Sequence, residues 1–159
     1  MPIIKLTTVI ESTQEIVFDL SRSIDLHKIS TEQTNEEAIA GITTGLISLN
    51  ESVTWRAKHF GVYQNLTSKI TALERPYSFT DEMIKGAFKA FKHQHLFKKV
   101  ESRVEMTDIF DYQSPFGIFG KIADTLFLET YMTNLLKERN KVIKEFAESE
   151  KWKLVLETK

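Results

Sequence analysis

Two histidines separated by one residue are the part of this sequence best suited to metal binding or acid–base catalysis. Phe91, His93, His95 and Phe97 occupy every second position of one segment. The opposite positions are mostly polar: Lys92, Gln94 and Lys98. Because successive side chains of a strand point to opposite faces, this pattern predicts a strand that turns both imidazoles toward the core.

Asp108, on the next predicted strand, is a carboxylate within reach of these imidazoles. A turn centred on Val100 and Glu101 would set His93 opposite Asp108 in an antiparallel pair. The same register predicts two further pairs, Phe97 with Val104 and His95 with Met106. A buried imidazole without a partner costs about 1–3 kcal/mol, so we expect these groups to bond to one another, to water or to a ligand.

Three interpretations of His93, His95 and Asp108 stay open at this stage. Histidines at alternate positions of a strand present both rings to one face, as a metal site requires. A positioned histidine and carboxylate can instead act as an acid–base dyad. The third interpretation is a hydrogen-bonded network of the core. No nucleophile or oxyanion motif accompanies them, so we assign no metal, no cofactor and no catalytic residue, and keep the three as candidates.

Alternation in residues 53–59 predicts another wall of the interior, with Trp55 and His59 inward and Arg56 outward. Apolar walls with a few polar groups suit an amphipathic ligand, because the walls give affinity and the polar groups fix orientation. We predict the following cavity lining: Trp55, His59, Phe91, His93, His95, Phe97, Val104, Met106, Asp108 and Phe110.

Period-two patterning from about residue 38 to residue 113 predicts an antiparallel meander, because such short connections cannot form parallel crossovers. A first strand, Ile3 to Ile10, precedes it. Ser12 and Glu15 have the spacing of a capping box, which predicts a short helix beginning there, and Asp25 to Ser30 predicts a second. The meander strands are predicted at Glu36 to Ala40, Glu51 to Phe60, Val62 to Leu73, Tyr77 to Lys85, Phe88 to Lys99 and Ser102 to Tyr112.

Apolar residues recur at helical spacing from Phe119 to about Glu148, which predicts one long helix. Its first half is apolar over a broad arc and must be covered by the sheet. The second half is predicted to be mostly solvated because it is rich in charged residues: Lys137, Glu138, Arg139, Lys141, Lys144 and Glu145.

The C-terminal tail carries a different pattern. Trp152, Leu154 and Leu156 alternate like a strand, and we expect residues 150–159 to pair with a sheet edge of the same chain or of a partner. Pairing with a partner would make a homodimer.

The order of elements predicts a single α+β domain over residues 1–159, with residues 149–159 as an extension. The predicted fold is a helix grip. In it, a curved antiparallel sheet of about seven strands wraps around one long C-terminal helix, and two short helices follow the first strand.

Composition narrows the classes of function. The 21 basic and 22 acidic residues leave a net charge of -1, which argues against a nucleic-acid partner because phosphate binding needs a concentrated positive field. The absence of cysteine excludes thiolate metal sites and cysteine nucleophiles. No basic-then-apolar leader opens the sequence and no apolar run reaches about 18 residues. We expect a cytoplasmic protein without stable membrane insertion.

Short motifs at Val53 to Gly61, Gly86 to Phe88, His93-x-His95-x-Phe97, Asp108 and Ser114 to Gly117 resemble those of one superfamily. It is the SRPBCC superfamily, which includes START lipid-transfer domains, polyketide cyclases and birch-pollen allergens. More narrowly, the chain resembles bacterial ligand-binding proteins described as cell-division-inhibitor-like. The resemblance spans the first strand to about Glu148. It implies a cavity for lipids, polyketides or similar molecules, with catalysis in only some members and no agreed catalytic residue.

Two functions are therefore expected. The first is a non-enzymatic carrier or sensor that holds an apolar or amphipathic small molecule in the cavity. The second is a polyketide cyclase- or dehydratase-like enzyme that uses His93, His95 and Asp108 for acid–base chemistry. An interaction module is a third possibility if side chains fill the interior.

Overall fold

The computed structural model describes residues 2–115, 117–123 and 127–157. These residues contain seven strands, five α-helices and one 3-10 turn (Glu32–Thr34). The strands are β1 (Ile3–Ile10), β2 (Glu37–Gly41), β3 (Ser52–His59), β4 (Val62–Glu74), β5 (Ser78–Lys85), β6 (Ala90–Val100) and β7 (Arg103–Gln113). The helices are α1 (Gln14–Ser21), α2 (Ile24–Ser30), α3 (Gly117–Ala123), α4 (Glu129–Ala147) and α5 (Trp152–Leu156).

The strands form one antiparallel sheet in the order β1-β7-β6-β5-β4-β3-β2. Strands β2 to β7 are a meander, and β1 adds to the outer edge of β7. Register shifts interrupt the β2–β3 and β4–β5 ladders, and irregularities of this kind bend a strand and increase its twist. Helix α4 contacts α1, α2 and β1. This arrangement is the predicted α+β helix-grip fold.

Helix α1 begins one residue later than the capping pattern predicted. Thr13 is the N-cap, because its extended backbone turns Oγ1 to accept a hydrogen bond from the Ile16 amide at 3.3 Å. Ser12 instead lies in the turn that leaves β1, where its amide donates to the Ile10 carbonyl oxygen at 3.1 Å.

The hairpin between β6 and β7 corrects the predicted register. Val100 pairs with Arg103, so the turn consists of Glu101 and Ser102, and Glu101 adopts φ 58°. The observed pairs are His93 with Phe110, His95 with Asp108, Phe97 with Met106 and Lys99 with Val104. The ladder is thus displaced by two residues from the prediction. Because strand side chains alternate with period two, every side chain keeps its predicted face.

The C-terminal helical segment consists of α3 and α4, and the predicted continuity of one helix between them lies outside the described residues.

The prediction that the tail is a strand was wrong. Trp152, Val155 and Leu156 are partly buried against the core, whereas Leu154 is 71% exposed. Positions 152, 155 and 156 share one face of a helix but not of a strand, so a helix buries them together beside α1.

Helix α1 covers one end of the sheet, and apolar side chains fill the space between the two. The Phe18 ring packs edge-on against Phe79 and Phe97 at 5.4 and 5.2 Å between centroids. Val104 and Met106 belong to the same cluster and are fully buried. The interior is therefore solid beneath α1, and any hollow must lie toward the other end.

In the described part of the chain, no helix is both long and apolar enough to span a bilayer.

Candidate ligand-binding cavity

A cavity of about 490 Å³ lies between the sheet and the helices. Small-molecule sites commonly enclose about 300–1,000 Å³. The walls are mainly apolar, and six large side chains from the sheet and α4 define them: Trp55, Leu66, Phe79, Phe91, Phe110 and Leu136. The alternation of β3 and β6 explains why these strands offer aromatic side chains inward and charged ones outward.

Three aromatic side chains that line the cavity are also exposed to solvent and mark its mouth. Phe60, Phe119 and Phe127 have exposed fractions of 62%, 79% and 52%. The Phe60 ring lies 6.1 Å from that of Phe127 and 4.6 Å from that of Tyr131. The β3–β4 turn and the C-terminal helical segment therefore face each other across the opening.

A buried polar cluster interrupts the apolar walls. It joins Asp81 of β5, His93 and His95 of β6, Asp108 of β7 and Arg139 of α4. His93 Nε2 lies 2.9 Å from Asp108 Oδ1, and His95 Nε2 lies 2.8 Å from Asp81 Oδ1. The two imidazoles stand 3.8 Å apart between ring centroids. Each histidine is thus bonded to a carboxylate on a neighbouring strand.

Helix α4 completes the cluster from the opposite side. Arg139 Nη1 donates to Asp108 Oδ1 at 3.2 Å, and Asn140 Nδ2 donates to Asp108 Oδ2 at 2.7 Å. Arg139 Nη2 also donates to the Ser21 carbonyl oxygen at 3.2 Å. Both carboxylate oxygens of the fully buried Asp108 therefore accept hydrogen bonds, as a buried charge requires.

The electrostatics of the cluster favour ionised carboxylates and a neutral His93. Burial alone would raise the pKa of Asp108, but Arg139 and the two imidazoles hold it well below its usual value. Burial likewise opposes ionisation of Asp81, yet its hydrogen bond from His95 and its electrostatic interaction with His93 keep its pKa lowered. The pKa of His93 is lowered by burial first and by His95 second.

A second set of polar side chains lies nearer the mouth of the cavity. His59 Nδ1 lies 2.8 Å from the Tyr131 hydroxyl, which ties the end of β3 to α4. His27 Nε2 lies 2.9 Å from Glu36 Oε1, and its ring packs on Trp55 at 4.3 Å. Burial lowers the pKa of His59, which disfavours its charged form. All five side chains line the cavity.

Six of the ten residues predicted to line the cavity do so: Trp55, His59, Phe91, His93, His95 and Phe110. Four others need correction, because Phe97, Val104, Met106 and Asp108 do not line it. The first three pack beneath α1, and Asp108 lies behind the imidazoles under Arg139 and Asn140. Alternation assigned the correct face to all four, but it carries no information on where along a strand the hollow ends.

The sequence patterns did not predict two members of the polar cluster. Arg139 belongs to the half of the helix predicted to be mostly solvated, but it is only 6% exposed. Its spacing from Leu136 and Ile143, which are both buried, places all three on one helix face and would have indicated an inward arginine. Asp81 stands two residues from the buried Phe79, so the alternation of β5 also places it inward.

Comparison with solved structures defines the class of the fold. A protein from Thermus thermophilus aligns with a TM-score of 0.74 at 15% identity, over 91% of this chain and 95% of its own. Ginseng major latex-like protein 151 from Panax ginseng aligns with a TM-score of 0.67 at 15% identity, over 92% of this chain and 97% of its own. Ara h 8.0201 aligns with a TM-score of 0.58 at 8% identity, over 89% of this chain and 97% of its own.

These neighbours include Bet v 1-like proteins, which belong to the SRPBCC superfamily. The chain therefore has the helix-grip fold of these neighbours. Identities this low show the fold alone. No protein-family model matches the sequence, and no curated protein matches it.

Proposed function

We propose that this protein binds an apolar or amphipathic small molecule, such as a lipid or a polyketide, and acts as a carrier or sensor. The observation that carries the proposal is a cavity of about 490 Å³ whose apolar walls enclose one buried polar cluster. Transfer of an apolar molecule from water into such a space is favourable by about 25 cal/mol for each Å² of apolar surface removed from water.

The polar cluster indicates which end of the ligand lies deep in the cavity. Asp81, His93, His95 and Arg139 all contribute to the lining, and together they offer hydrogen-bond donors and acceptors of both charge signs. A hydroxyl or carbonyl oxygen can use such a mixture, whereas an alkyl chain cannot. We infer that the oxygen-bearing end of the ligand lies at this cluster and the apolar body extends toward Phe60 at the mouth.

A pair of substitutions tests binding inside the cavity. Ala57 is buried in the wall, and Ala72 is exposed on the neighbouring strand. We expect Ala57→Phe to fill part of the hollow and to weaken binding of the probe 1-anilinonaphthalene-8-sulfonate by about tenfold or more, because the added ring removes volume. Ala72→Phe should leave probe affinity unchanged. Equal affinities of the two variants and the original protein would reject the proposal.

Native mass spectrometry of protein purified gently from its own host tests the same proposal without a substitution. We expect a lipophilic compound to co-purify and to be displaced by the probe. A cavity that is empty after gentle purification and that also fails to bind the probe would count against the carrier.

An enzyme of the polyketide cyclase or dehydratase type is the second candidate. It is favoured by one observation: His93 lines the cavity and bonds through Nε2 to the ionised Asp108, which is the arrangement of a positioned base. In this function Asp108 would act only through the imidazoles, since it does not reach the cavity. We expect His93→Ala to abolish turnover of a polyketide substrate while binding persists; loss of both together would favour the carrier.

We further propose a cytoplasmic location and membership of the cell-division-inhibitor-like subfamily; the absence of cysteine and the motif resemblance support these proposals. The near-zero net charge supports the absence of a nucleic-acid partner. A homodimer stays a prediction, although the helical conformation of α5 removes the tail strand from which it was predicted.

A further inference from the structure

We propose that Asp81, His93 and His95 bind one divalent transition-metal ion of the zinc type at the wall of the cavity. One ligand atom from each residue lies within 4.8 Å of the other two. The backbone explains their convergence: Asp81 is the cross-strand partner of His93, and His95 follows two residues later on the same face. Two imidazoles and one carboxylate are a donor set that zinc, iron and similar ions accept.

The two ring nitrogens of His93 have different neighbours. Its Nε2 atom bonds to Asp108 Oδ1 at 2.9 Å. Its Nδ1 atom lies 3.9 Å from Asp81 Oδ1, which is too far for a hydrogen bond. A cation placed between Nδ1 and Oδ1 would bind both atoms.

The distances suit a small ion. Metal–nitrogen and metal–oxygen bonds near 2.1 Å place two ligand atoms of a tetrahedral site about 3.4 Å apart. The distances from Asp81 Oδ1 to His93 Nδ1 and His95 Nε2 are 3.9 and 2.8 Å, which straddle this value. All three ligand atoms lie within 4.8 Å of one another, so side-chain rotation is needed to close the site around the ion.

The two histidine ligands have different supporting contacts. His93 Nε2 lies 2.9 Å from Asp108 Oδ1, and Arg139 and Asn140 donate to that carboxylate in turn. A carboxylate bonded to the outer nitrogen of a ligating histidine sets its tautomer and raises its basicity. His95 Nδ1 lies 3.2 Å from Asp108 Oδ1 and 3.4 Å from Arg139 Nη2. Side chains of α4 thus support the two histidines, directly or through Asp108.

Charge and access indicate the fourth ligand. Asp81 and Asp108 contribute two negative charges, and Arg139 contributes one positive charge. A divalent ion would leave the cluster with one net positive charge, which an anionic oxygen donor would neutralise. Because all three ligands line the cavity, the open position faces it, and we expect an enolate, carboxylate or hydroxide there. The protein's affinity for the metal alone does not depend on the small-molecule binding proposed above.

A proton is the competing occupant of this site. If His95 Nε2 carries hydrogen and donates to Asp81 at 2.8 Å, the two groups satisfy each other without a metal. A metal ion can bind Nε2 only if this hydrogen moves to Nδ1, which lies 3.2 Å from Asp108 Oδ1, so the hydrogen stays on the ring and none need be released.

Titration of the full chain with Co²⁺, after treatment with a chelator, tests the site directly. We expect one equivalent to bind with visible d–d absorption of a four- or five-coordinate ion, and Zn²⁺ to abolish that absorption. Asp81→Asn and His93→Gln should each weaken binding by about 10–100-fold or more. His59→Gln, a substitution of another cavity histidine, is the matched control and should leave affinity unchanged.

Absence of a stoichiometric visible band, or unchanged Co²⁺ affinity in folded Asp81→Asn and His93→Gln, would overturn the proposal. Circular dichroism shows whether the variants fold. If they do not, imidazole nitrogen shifts of the unsubstituted protein decide: Zn²⁺ should move the resonances of His93 and His95 and leave those of His27 and His59 in place. Unmoved His93 and His95 resonances would overturn the site. Neither measurement uses an apolar ligand. Failure of the metal site can therefore be distinguished from failure of the carrier function.

Discussion

Arg139 Nη1 lies 3.2 Å from Asp108 Oδ1, and both side chains are buried between α4 and the sheet. The pair joins the C-terminal helix to β7 through charge, within the buried polar cluster described above. Removal of the charge from water is costly for each partner, and their mutual attraction and further hydrogen bonds offset that cost only while both are present. The stability of the grip between helix and sheet should therefore depend on this pair.

Replacement of Arg139 by Met should destabilise the protein by about 3–5 kcal/mol, because Asp108 would remain buried without its cation. Urea unfolding followed by circular dichroism measures the change. Lys137→Met, at an exposed position of the same helix, is the control and should change stability by about 0.5 kcal/mol or less. Adding Asp108→Asn to Arg139→Met should recover part of the loss. Equal effects of the Arg139 and Lys137 substitutions would contradict the assignment.

The cap of α1 can be located by two single substitutions. Thr13→Ala should cost about 1 kcal/mol, because the Ile16 amide would lose its hydrogen bond to Oγ1. Ser12→Ala should have little effect, since the capping bond belongs to Thr13. Thermal unfolding of both variants distinguishes the two positions. A larger loss for Ser12→Ala would restore the cap that the sequence pattern predicted.

Asp19 should give the protein a specific acid sensitivity. Its carboxylate accepts hydrogen bonds from Arg22 and Arg75 at 2.9 and 2.8 Å. Burial raises the pKa of Asp19, but the two arginines outweigh this and lower it below the ordinary value of 3.8. The folded state therefore binds the proton less readily than the unfolded state, and the stabilisation present above about pH 4 is lost as the pH falls through the lowered pKa.

We accordingly expect Asp19→Asn to reduce stability by about 1–2 kcal/mol near pH 6 and by progressively less below pH 4. Urea midpoints of the variant and the original protein, measured across this range, should converge at acid pH. Glu138→Gln, at an exposed position of α4, is the control and should show no such convergence. A constant difference at every pH would show that the carboxylate charge is not responsible.

The helical tail predicts different costs for two neighbouring apolar residues. Trp152 packs against the core, whereas Leu154 is 71% exposed. Trp152→Ala should therefore destabilise the protein by about 2 kcal/mol, and Leu154→Ala by about 0.5 kcal/mol or less. Thermal unfolding measures both. Similar losses for the two variants would favour an extended tail paired along its whole length.

Local periodicity predicted the sheet well, because a half-buried strand must alternate. The β3 and β6 patterns placed Trp55 and His93 on the inner face, and the structure confirms both orientations. The apolar arc from Phe119 likewise predicted the helical segment. The prediction that the sheet covers its first half was wrong, because Phe119 and Ile122 are 79% and 51% exposed. These features depend on neighbours within a few residues, and the sequence contains that information directly.

Features that depend on distant parts of the chain were harder to predict. The register of β6 and β7 depends on the conformation of Glu101, which period-two patterning does not specify. The extent of the cavity depends on where α1 crosses the sheet, so Phe97 and Met106 could not be separated from Phe91. Arg139 was judged by its charged neighbours in sequence, although its partner Asp108 lies on another element.

The position of β1 at the edge beyond β7 has a consequence for biosynthesis. Ile3–Ile10 pairs in register with residues 104–111, and the other five strands lie between these partners in the sequence. Until β7 has been synthesised, this apolar segment lacks its partner, and exposed strand edges attract other chains. Folding should be slow, as is typical when contacts join distant segments of a sequence.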